Sequence, residues 1–392
     1  MANALLIKNA NLYAPEPKGL CDILAVNGSI IEISTNIEAG LLSLPNLLII
    51  DAEGKKVIPG YVDQHVHIIG GGGESGPYSR TPEVMLSDIT TVGITTVVGV
   101  LGTDGTSRNT EALLAKARAL ETEGISAYIL TGSYELPLHT ITEDARKDII
   151  IIDKVIGVGE IALSDHRSSQ PTKDELKRVI TQARVGGMLA GKSGVVQFHM
   201  GSGKAGISML LEILDETEVH AKHFIPTHIN RADALFEQAK ELAKRGGYVD
   251  ITSGVRECDG FTNCIKPSEA IRNFWENNEA IEFLTMSSDG NGCMSVQLPD
   301  GTNKQLVAQL VSLHEEVRDA IIAGVPIEVA VSVCSKNPAK ANGLYPQKGC
   351  LQVDSDADMV ILDEDLLVDT VIAKGKLMVE NKKVIVKGTF EK

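Results

Sequence analysis

Two textures of apolar and polar positions alternate along the chain. Near the beginning, short apolar runs are split by turns: Ala4–Ile7, Asp22–Val26, an Asn27-Gly28 turn, Ser29–Ile33 and Leu48–Ile50. Asn-Gly between apolar runs predicts a tight hairpin, because its turn positions need a positive φ that Asn and Gly adopt at little cost. The far end repeats the texture with Met359–Leu362, Val368–Ala373, a Lys374-Gly375 turn, Lys376–Val379 and Lys383–Val386. Neither end alone has strands enough for a stable core, so the two are expected to pair into one small β domain, residues 1–58 plus 347–392. On that reading, removal of residues 350–392 leaves an unfolded product.

Between the ends the pattern changes. Strand-like runs occur at Tyr61–Ile69, Thr95–Leu101, Ser126–Gly132, Val155–Leu163, Val195–Met200, Phe224–Ile229, Tyr248–Ser253 and Phe283–Ser288. Most are followed by a segment of helical period: Pro82–Val92, Asn109–Glu123, Lys173–Ala190, Ile207–Glu216, Arg231–Arg245 and Pro267–Asn277, with a further helix over Lys304–Ala323. Thr81 is the expected N-cap of the first, with Pro82 at its first helical position. In Lys173–Ala190, Leu176, Val179, Ile180 and Ala183 fall on one face. Eight strands alternating with helices predict an α/β protein, a (β/α)8 TIM-like barrel over residues 59–346. A doubly wound open sheet is the competing α/β arrangement.

Composition narrows the class. With 37 Lys+Arg against 52 Asp+Glu the net charge is −15, and no block of cations exists to neutralise phosphates or an anionic bilayer. Neither nucleic acid nor membrane is therefore an expected partner. The opening residues lack a basic n-region and an apolar h-region, and the six cysteines form no CxxC, which predicts a cytoplasmic, reduced protein.

The chemistry gathers at strand ends. His65 and His67 are two apart on the first barrel strand, so both side chains face one way. With nine histidines in the chain, one His-x-His carries little alone. His199, His228 and Asp289 close three other strands, and Glu160 lies within a fourth. Metal-type side chains at the C-terminal ends of apolar strands occupy the place where barrel enzymes do their chemistry. Imidazoles and carboxylates suit Zn2+ or a similar divalent ion. His139, His220, His223 and His314 are expected at the surface or behind the site. Gly186–Ser193 satisfies the GxxxxGK[ST] phosphate-loop pattern, but it stands between a helix and a strand in the wrong order, so it reads as a helix C-terminal turn.

His-x-His on the first strand, an acidic residue on the fourth, His on the fifth and sixth and Asp on the eighth together resemble the binuclear amidohydrolase superfamily. Gly70–Gly76 with its Glu74, Leu130–Tyr134, Ser164–Ser168, Asn230-Arg231 and Ser288–Gly292 resemble the isoaspartyl dipeptidases within it, over essentially the whole chain. The resemblance implies two Zn2+ per subunit: His65, His67 and Asp289 on one, His199 and His228 on the other, with Glu160 and a hydroxide between them. Many relatives use a carbamylated lysine as the bridge. A glutamate is shorter, so its strand must approach the metals more closely, and Gly157 and Gly159 flank the position. Metal loading should then be independent of bicarbonate.

The resemblance further implies hydrolysis of β-aspartyl dipeptides, Asp289 as general base and acid, and Tyr134 as donor to the developing oxyanion. Glu74, Gly72, Thr103, Arg167, Arg231 and Cys293 would bind a small dipeptide with free amino and carboxylate groups. Cys293 stands where relatives place a hydroxyl. A homo-oligomer, dimers assembled into an octamer, is implied as well. The alternative is a cyclic-amide hydrolase of the dihydroorotase or hydantoinase kind, which needs no ammonium-binding Glu74.

Overall fold

A computed structural model describes residues 4–37, 44, 46–297 and 302–392. Five strands come first: β1 (Ala4–Tyr13), β2 (Pro17–Val26), β3 (Ser29–Ser34), β4 (Leu47–Asp51) and β5 (Lys56–Pro59). The alternating part runs β6 (Tyr61–Val66), α1 (Leu86–Thr90), β7 (Ile94–Gly99), α2 (Thr110–Glu123), β8 (Ser126–Thr131) and α3 (Ala145–Ile151). It continues β9 (Val155–Leu163), α4 (Lys173–Ala190), β10 (Val195–Met200), α5 (Ser208–Glu216), β11 (Phe224–Thr227) and α6 (Asp233–Lys244). It closes with β12 (Val249–Thr252), α7 (Pro267–Glu276) and β13 (Leu284–Ser287). After these come β14 (Cys293–Gln297), β15 (Asn303–Val307), α8 (Val311–Ile322), α9 (Ile327–Ser332) and α10 (Lys336–Ala341). The last strands are β16 (Met359–Leu362), β17 (Val368–Ala373), β18 (Lys376–Glu380) and β19 (Lys383–Val384).

Strands β6 to β11 form one parallel sheet in sequential order, and β12 pairs in parallel with β13. A bridge between Val66 and Gly290 sets the segment after β13 beside β6, and Asn230, just past β11, bonds the backbone of Thr252 on β12. The protein is thus α/β with a curled parallel sheet of the TIM-barrel type. Every residue of β6, β7, β9 and β10 is buried, as parallel strands covered by helices on one side and a packed interior on the other must be.

The two ends of the chain do pair. β5 is antiparallel to β16, with Pro59 opposite Met359, inside a nine-stranded sheet that holds every strand of both ends. Its pleat divides two cores by alternation: Val57, Met359, Ile361 and Ile372 pack with β1 and β2, whereas Ile58, Val360, Leu362 and Val371 face the core of the parallel sheet. A one-residue slip would exchange these faces, so the alternation fixes the register.

Three expectations need correction, and one helix was not expected. The helix expected over Pro82–Val92 is only Leu86–Thr90, and Thr81 is not its cap. Thr81 Oγ1 instead accepts from Gly71 N at 2.7 Å and donates to Asn291 O at 2.7 Å, tying the segment to the loops after β6 and β13. Lys304–Ala323 begins not as helix but as the second strand of the β14–β15 hairpin, and the helix starts at Val311. Polar Gln305 breaks the apolar helical face there. A helix also precedes β9, capped by Asp144 accepting from Lys147 N; its triple isoleucine obscured the helical period. Last, His314 and His223 are buried. His314 bridges Tyr61 OH and Leu366 O, and both its contacts lie outside the metal-type cluster.

Candidate active site

Local backbone geometry presents the ligands. His65 sits within β6, and His67 just past it. His228 and Asp289 each follow the last residue of a strand region in left-handed conformations, φ 64° and 54°, which turn their side chains inward. Positive φ costs a non-glycine residue free energy, and such strain gathers at functional sites. Glu160 lies on β9 at a ladder irregularity: Val158 pairs with Val196 and Ile161 with Phe198, so two residues, Gly159 and Glu160, oppose Gln197 alone. A Cβ on Gly157 would lie 2.4 Å from Val195 O, so β9 and β10 approach at a distance only glycine permits. The shorter side chain of glutamate is matched by this close, bulged backbone.

The two oxygens of Glu160 divide the histidines. Oε1 is 3.4 Å from His65 Nε2 and 3.9 Å from His67 Nε2, while Oε2 is 3.1 Å from His199 Nδ1 and 3.8 Å from His228 Nε2. Asp289 Oδ1 joins the first pair, 3.4 Å from His65 Nε2 and 3.1 Å from His67 Nε2. Groups of three ligand atoms within 4.8 Å form around His65, His67 and Glu160, around His65, His228 and Asp289, and around Glu160, His199 and His228.

These groups have the character of metal ligands. Both ring nitrogens of His65, Nδ1 of His67 and Oε1 of Glu160 are buried without any hydrogen-bond partner. Unpaired buried polar atoms are costly, and four in one cluster fit ligands awaiting a cation. Burial pushes the Glu160 carboxyl up, but the fields of His65 and His199 outweigh it and hold the group well below the usual carboxylate range. Burial likewise opposes the charged form of Asp289, yet the His65 and His67 imidazoles beside it hold it low. His228 is pushed down by burial and by Arg231 and His199 beside it, and so stays neutral, as a ligand nitrogen must. Its Nδ1 is 2.6 Å from Thr252 Oγ1, which orients the ring and leaves Nε2 toward Glu160.

One small cavity, about 40 Å³, touches the cluster and is lined by Gly72, Glu74, Thr103, Tyr134, Arg167, Arg231 and Cys293. Every substrate contact and the oxyanion donor expected from the sequence thus meet at one place. Tyr134 lies three residues beyond β8, not at its end, and its hydroxyl is 2.6 Å from His199 Nδ1. Arg167 Nη1 donates to Glu74 Oε1 at 3.1 Å, and Thr103 Oγ1 donates to the same oxygen at 2.8 Å. Arg231 Nη1 donates to Met200 O at 3.2 Å. Cys293 Sγ is 3.1 Å from Gln305 Oε1, and Gln305 Nε2 donates to Ser75 Oγ at 2.8 Å, so the β14–β15 hairpin is fastened to the glycine-rich loop.

Three residues were missed by sequence reasoning. Asp165 accepts from Arg167 Nε and Nη2 at 2.9 and 2.8 Å and approaches His199 Nε2 at 3.2 Å, joining Arg167 to the histidine cluster. Its carboxyl is held far below the usual range by those partners despite burial. Arg108, buried, donates to the carbonyls of Gly71 at 2.9 Å, Gly72 at 3.2 Å, Ile69 at 3.4 Å and Thr81 at 3.4 Å, caging the glycine-rich loop. Asp250, fully buried below the cluster, accepts from Gln64, Thr227, Thr285 and Ser287 at 2.6–2.7 Å. Asp165 lies inside Ser164–Ser168, but Arg108 has no sequence signature: apart from Asp104 at 3.5 Å, its partners are backbone carbonyls.

The chain belongs to the amidohydrolase family, whose model matches residues 56–390. Within that family its likeness is to a β-aspartyl dipeptidase of Fervidobacterium islandicum AW-1, 41% identical and TM-score 0.88, over 97% of this chain and 98% of that one. The same comparison with that organism's enzyme in complex with a β-Asp-Leu dipeptide gives 40% identity and TM-score 0.89. An adenine deaminase of Bacillus subtilis is 25% identical over 98% of the chain, which spans only 62% of that relative's length. An L-hydantoinase of Paenarthrobacter aurescens is 25% identical over 92% of this chain and 86% of the relative.

Proposed function

We propose that the protein is a metal-dependent isoaspartyl dipeptidase, cleaving the isopeptide bond of β-aspartyl dipeptides. The observation that carries this reading is the paired charge on the cavity wall, Glu74 against Arg167, with Arg231 nearby. A β-aspartyl dipeptide carries a free α-ammonium and carboxylates, so it can take over both halves of that internal pair. A 40 Å³ space holds a water or two, not a dipeptide, so the Glu74–Arg167 pair must part for substrate to enter. The β-Asp-Leu complex of the 40% identical dipeptidase supports the substrate class. The eight parallel strands are read as a closed (β/α)8 barrel, residues 59–346, with residues 1–58 and 347–392 as the small β domain.

His65, His67 and Asp289 would hold one divalent cation, His199 and His228 a second, with Glu160 between them and Zn2+ the ion of choice. Such ions polarise a carbonyl and ionise water near neutral pH. The chain's own residues do the rest. Tyr134 OH donates to the oxygen of the scissile carbonyl as it gains charge. Asp289 takes the proton of the attacking water and returns it to the departing amine, which leaves poorly unless protonated. Arg167 and Arg231 fix carboxylates with paired N–H donors, and Glu74 receives the ammonium. Gly72, whose added Cβ would meet Ser79 O at 2.4 Å and Cys293 at 2.6 Å, keeps backbone at the cavity wall.

The same reading makes the protein a cytoplasmic homo-oligomer, dimers assembled into an octamer. In support, all six cysteines are free, and among the described residues no helix is long and apolar enough to cross a membrane. The deciding experiment incubates metal-loaded protein with β-Asp-Leu, α-Asp-Leu, dihydroorotate and hydantoin. Cleavage of β-Asp-Leu alone is expected. Turnover of a cyclic amide in its place would establish the alternative, cyclic-amide hydrolysis, which the L-hydantoinase likeness keeps in view.

A further inference from the structure

At the N-terminal ends of β10, β11 and β12, opposite the candidate active site, a second cleft of about 270 Å³ opens. Arg184, Lys192, Lys222 and Lys340 line it, and no carboxylate does. In a chain with 15 more acidic than basic residues this is an unusual grouping. Among the described residues none of the four forms an ion pair with a carboxylate, although Asp153 lies close enough for Lys192 to feel its field.

The four cations are not equivalent. Lys192 Nζ donates to the carbonyls of Ile149, Ile152 and Val155 at 2.6–2.9 Å, so its three N–H bonds are used and only its charge reaches the cleft. That also removes the phosphate-loop reading of Gly186–Ser193, whose lysine would have to reach a phosphate. Arg184 is held in place: its Nη1 donates to His223 Nε2 at 2.8 Å, and His223 Nδ1 donates in turn to Gly194 O at 3.2 Å. His223 is 4% exposed, so this is a built support and not a chance surface contact. Among the described residues, the remaining N–H groups of Arg184 and the Lys222 ammonium have no hydrogen-bond partner, and the Lys340 ammonium lies over the Tyr345 ring at 5.3 Å with its N–H donors unused.

We propose that this cleft is a binding site for a small phosphoryl dianion, inorganic phosphate or a compact phosphomonoester, bound by Arg184, Lys222 and Lys340. Ligand sites usually enclose about 300–1,000 Å³, so a space of about 270 Å³ suits a small ligand. Guanidinium and ammonium groups line the same cleft. A tetrahedral dianion offers oxygens in several directions at once, whereas a dicarboxylate separates its charges into two poles. Burial of the His223 ring beside Arg184 and Lys222 keeps it neutral, its pKa lowered to about 4, so it adds no charge and serves to aim the guanidinium.

The test is calorimetric titration of the full-length protein with inorganic phosphate, with succinate as the comparison dianion. Phosphate could also bind at the candidate active site, so Arg231→Gln is titrated beside the double variant Lys222→Gln/Lys340→Gln. Both lysines are exposed, so the double variant should melt like the parent and retain its hydrolytic rate. Expected is saturable phosphate binding that persists in Arg231→Gln, weakens about tenfold or more in the double variant, and exceeds succinate binding. Absence of binding, loss of it only in Arg231→Gln, or preference for succinate would overturn the assignment. None of these outcomes depends on which amide the enzyme hydrolyses.

Discussion

Arg108→Met tests whether the glycine-rich loop is ordered by its carbonyl cage. The methionine keeps an apolar stem and removes five donors. Two of the four carbonyl bonds, to Gly71 at 2.9 Å and Gly72 at 3.2 Å, have good length; the two at 3.4 Å contribute little. A hydrogen bond from a charged donor contributes about 1.5–3 kcal/mol, and solvent beside the loop recovers part of the loss, which leaves a cost of about 3 kcal/mol. For a chain of this size that lowers Tm by roughly 4 °C, read by differential scanning calorimetry. If about half of that energy had held the loop in its binding geometry, KM for β-Asp-Leu rises about tenfold. Because Arg108 touches no reacting group, kcat should stay within about threefold of the parent. Arg108→Lys keeps the charge but not the fork of donors, so it should fall between. A fall in kcat with unchanged KM, or an unchanged KM despite the loss in Tm, would refute the positioning role.

Further outcomes follow from the same geometry. Asp289→Asn should lower kcat for β-Asp-Leu by at least about a hundredfold while circular dichroism stays unchanged, since the proton carrier is lost and not the fold. Metal content, measured by elemental analysis after reloading the stripped protein, should be the same with and without bicarbonate; strong bicarbonate dependence would exclude Glu160 as the bridge. Gly72→Ala should impair activity or loop order, because a Cβ meets Ser79 O at 2.4 Å at a φ of +72°. His223 has a folded-state pKa of about 4 against an ordinary value of 6.5, so the unfolded chain takes up a proton first as pH falls. Stability from this group is complete above pH 6.5 and declines toward pH 4, by about 2 kcal/mol after solvent screening of its cationic neighbours. Denaturant titrations of His223→Gln against the parent across that window should show the difference shrinking.

The parts of the molecule that were legible in the sequence are those set by local periodicity. The strands of the parallel sheet and the long helices α2, α4 and α6 follow from apolar spacing, and the ligand positions follow from polar side chains interrupting apolar strand ends. Gly157 and Gly159 pointed correctly to a close, bulged strand around Glu160. What failed was set by distant partners. Thr81 has the chemistry of an N-cap, but Gly71 and Asn291 offered its hydroxyl better bonds. Val311–Ile322 extended too far back in the reading because β15 is held by its pairing with β14, which the apolar spacing of its own segment does not show. Arg108 and the His223–Arg184 pair were invisible for the same reason: each depends on backbone carbonyls or rings brought near only by the fold.

The pairing of β5 with β16 has a consequence for how the chain is made. Pro59 leaves the ribosome roughly three hundred residues before Met359, its strand partner. At about 5–20 residues per second, the β5 edge waits between about fifteen seconds and a minute during each round of translation. Throughout that time its main-chain donors and acceptors stand open, and Val57 and Ile58 lack half of their cover. The edge of β5 is therefore open to pairing with other chains during synthesis until β16 covers it.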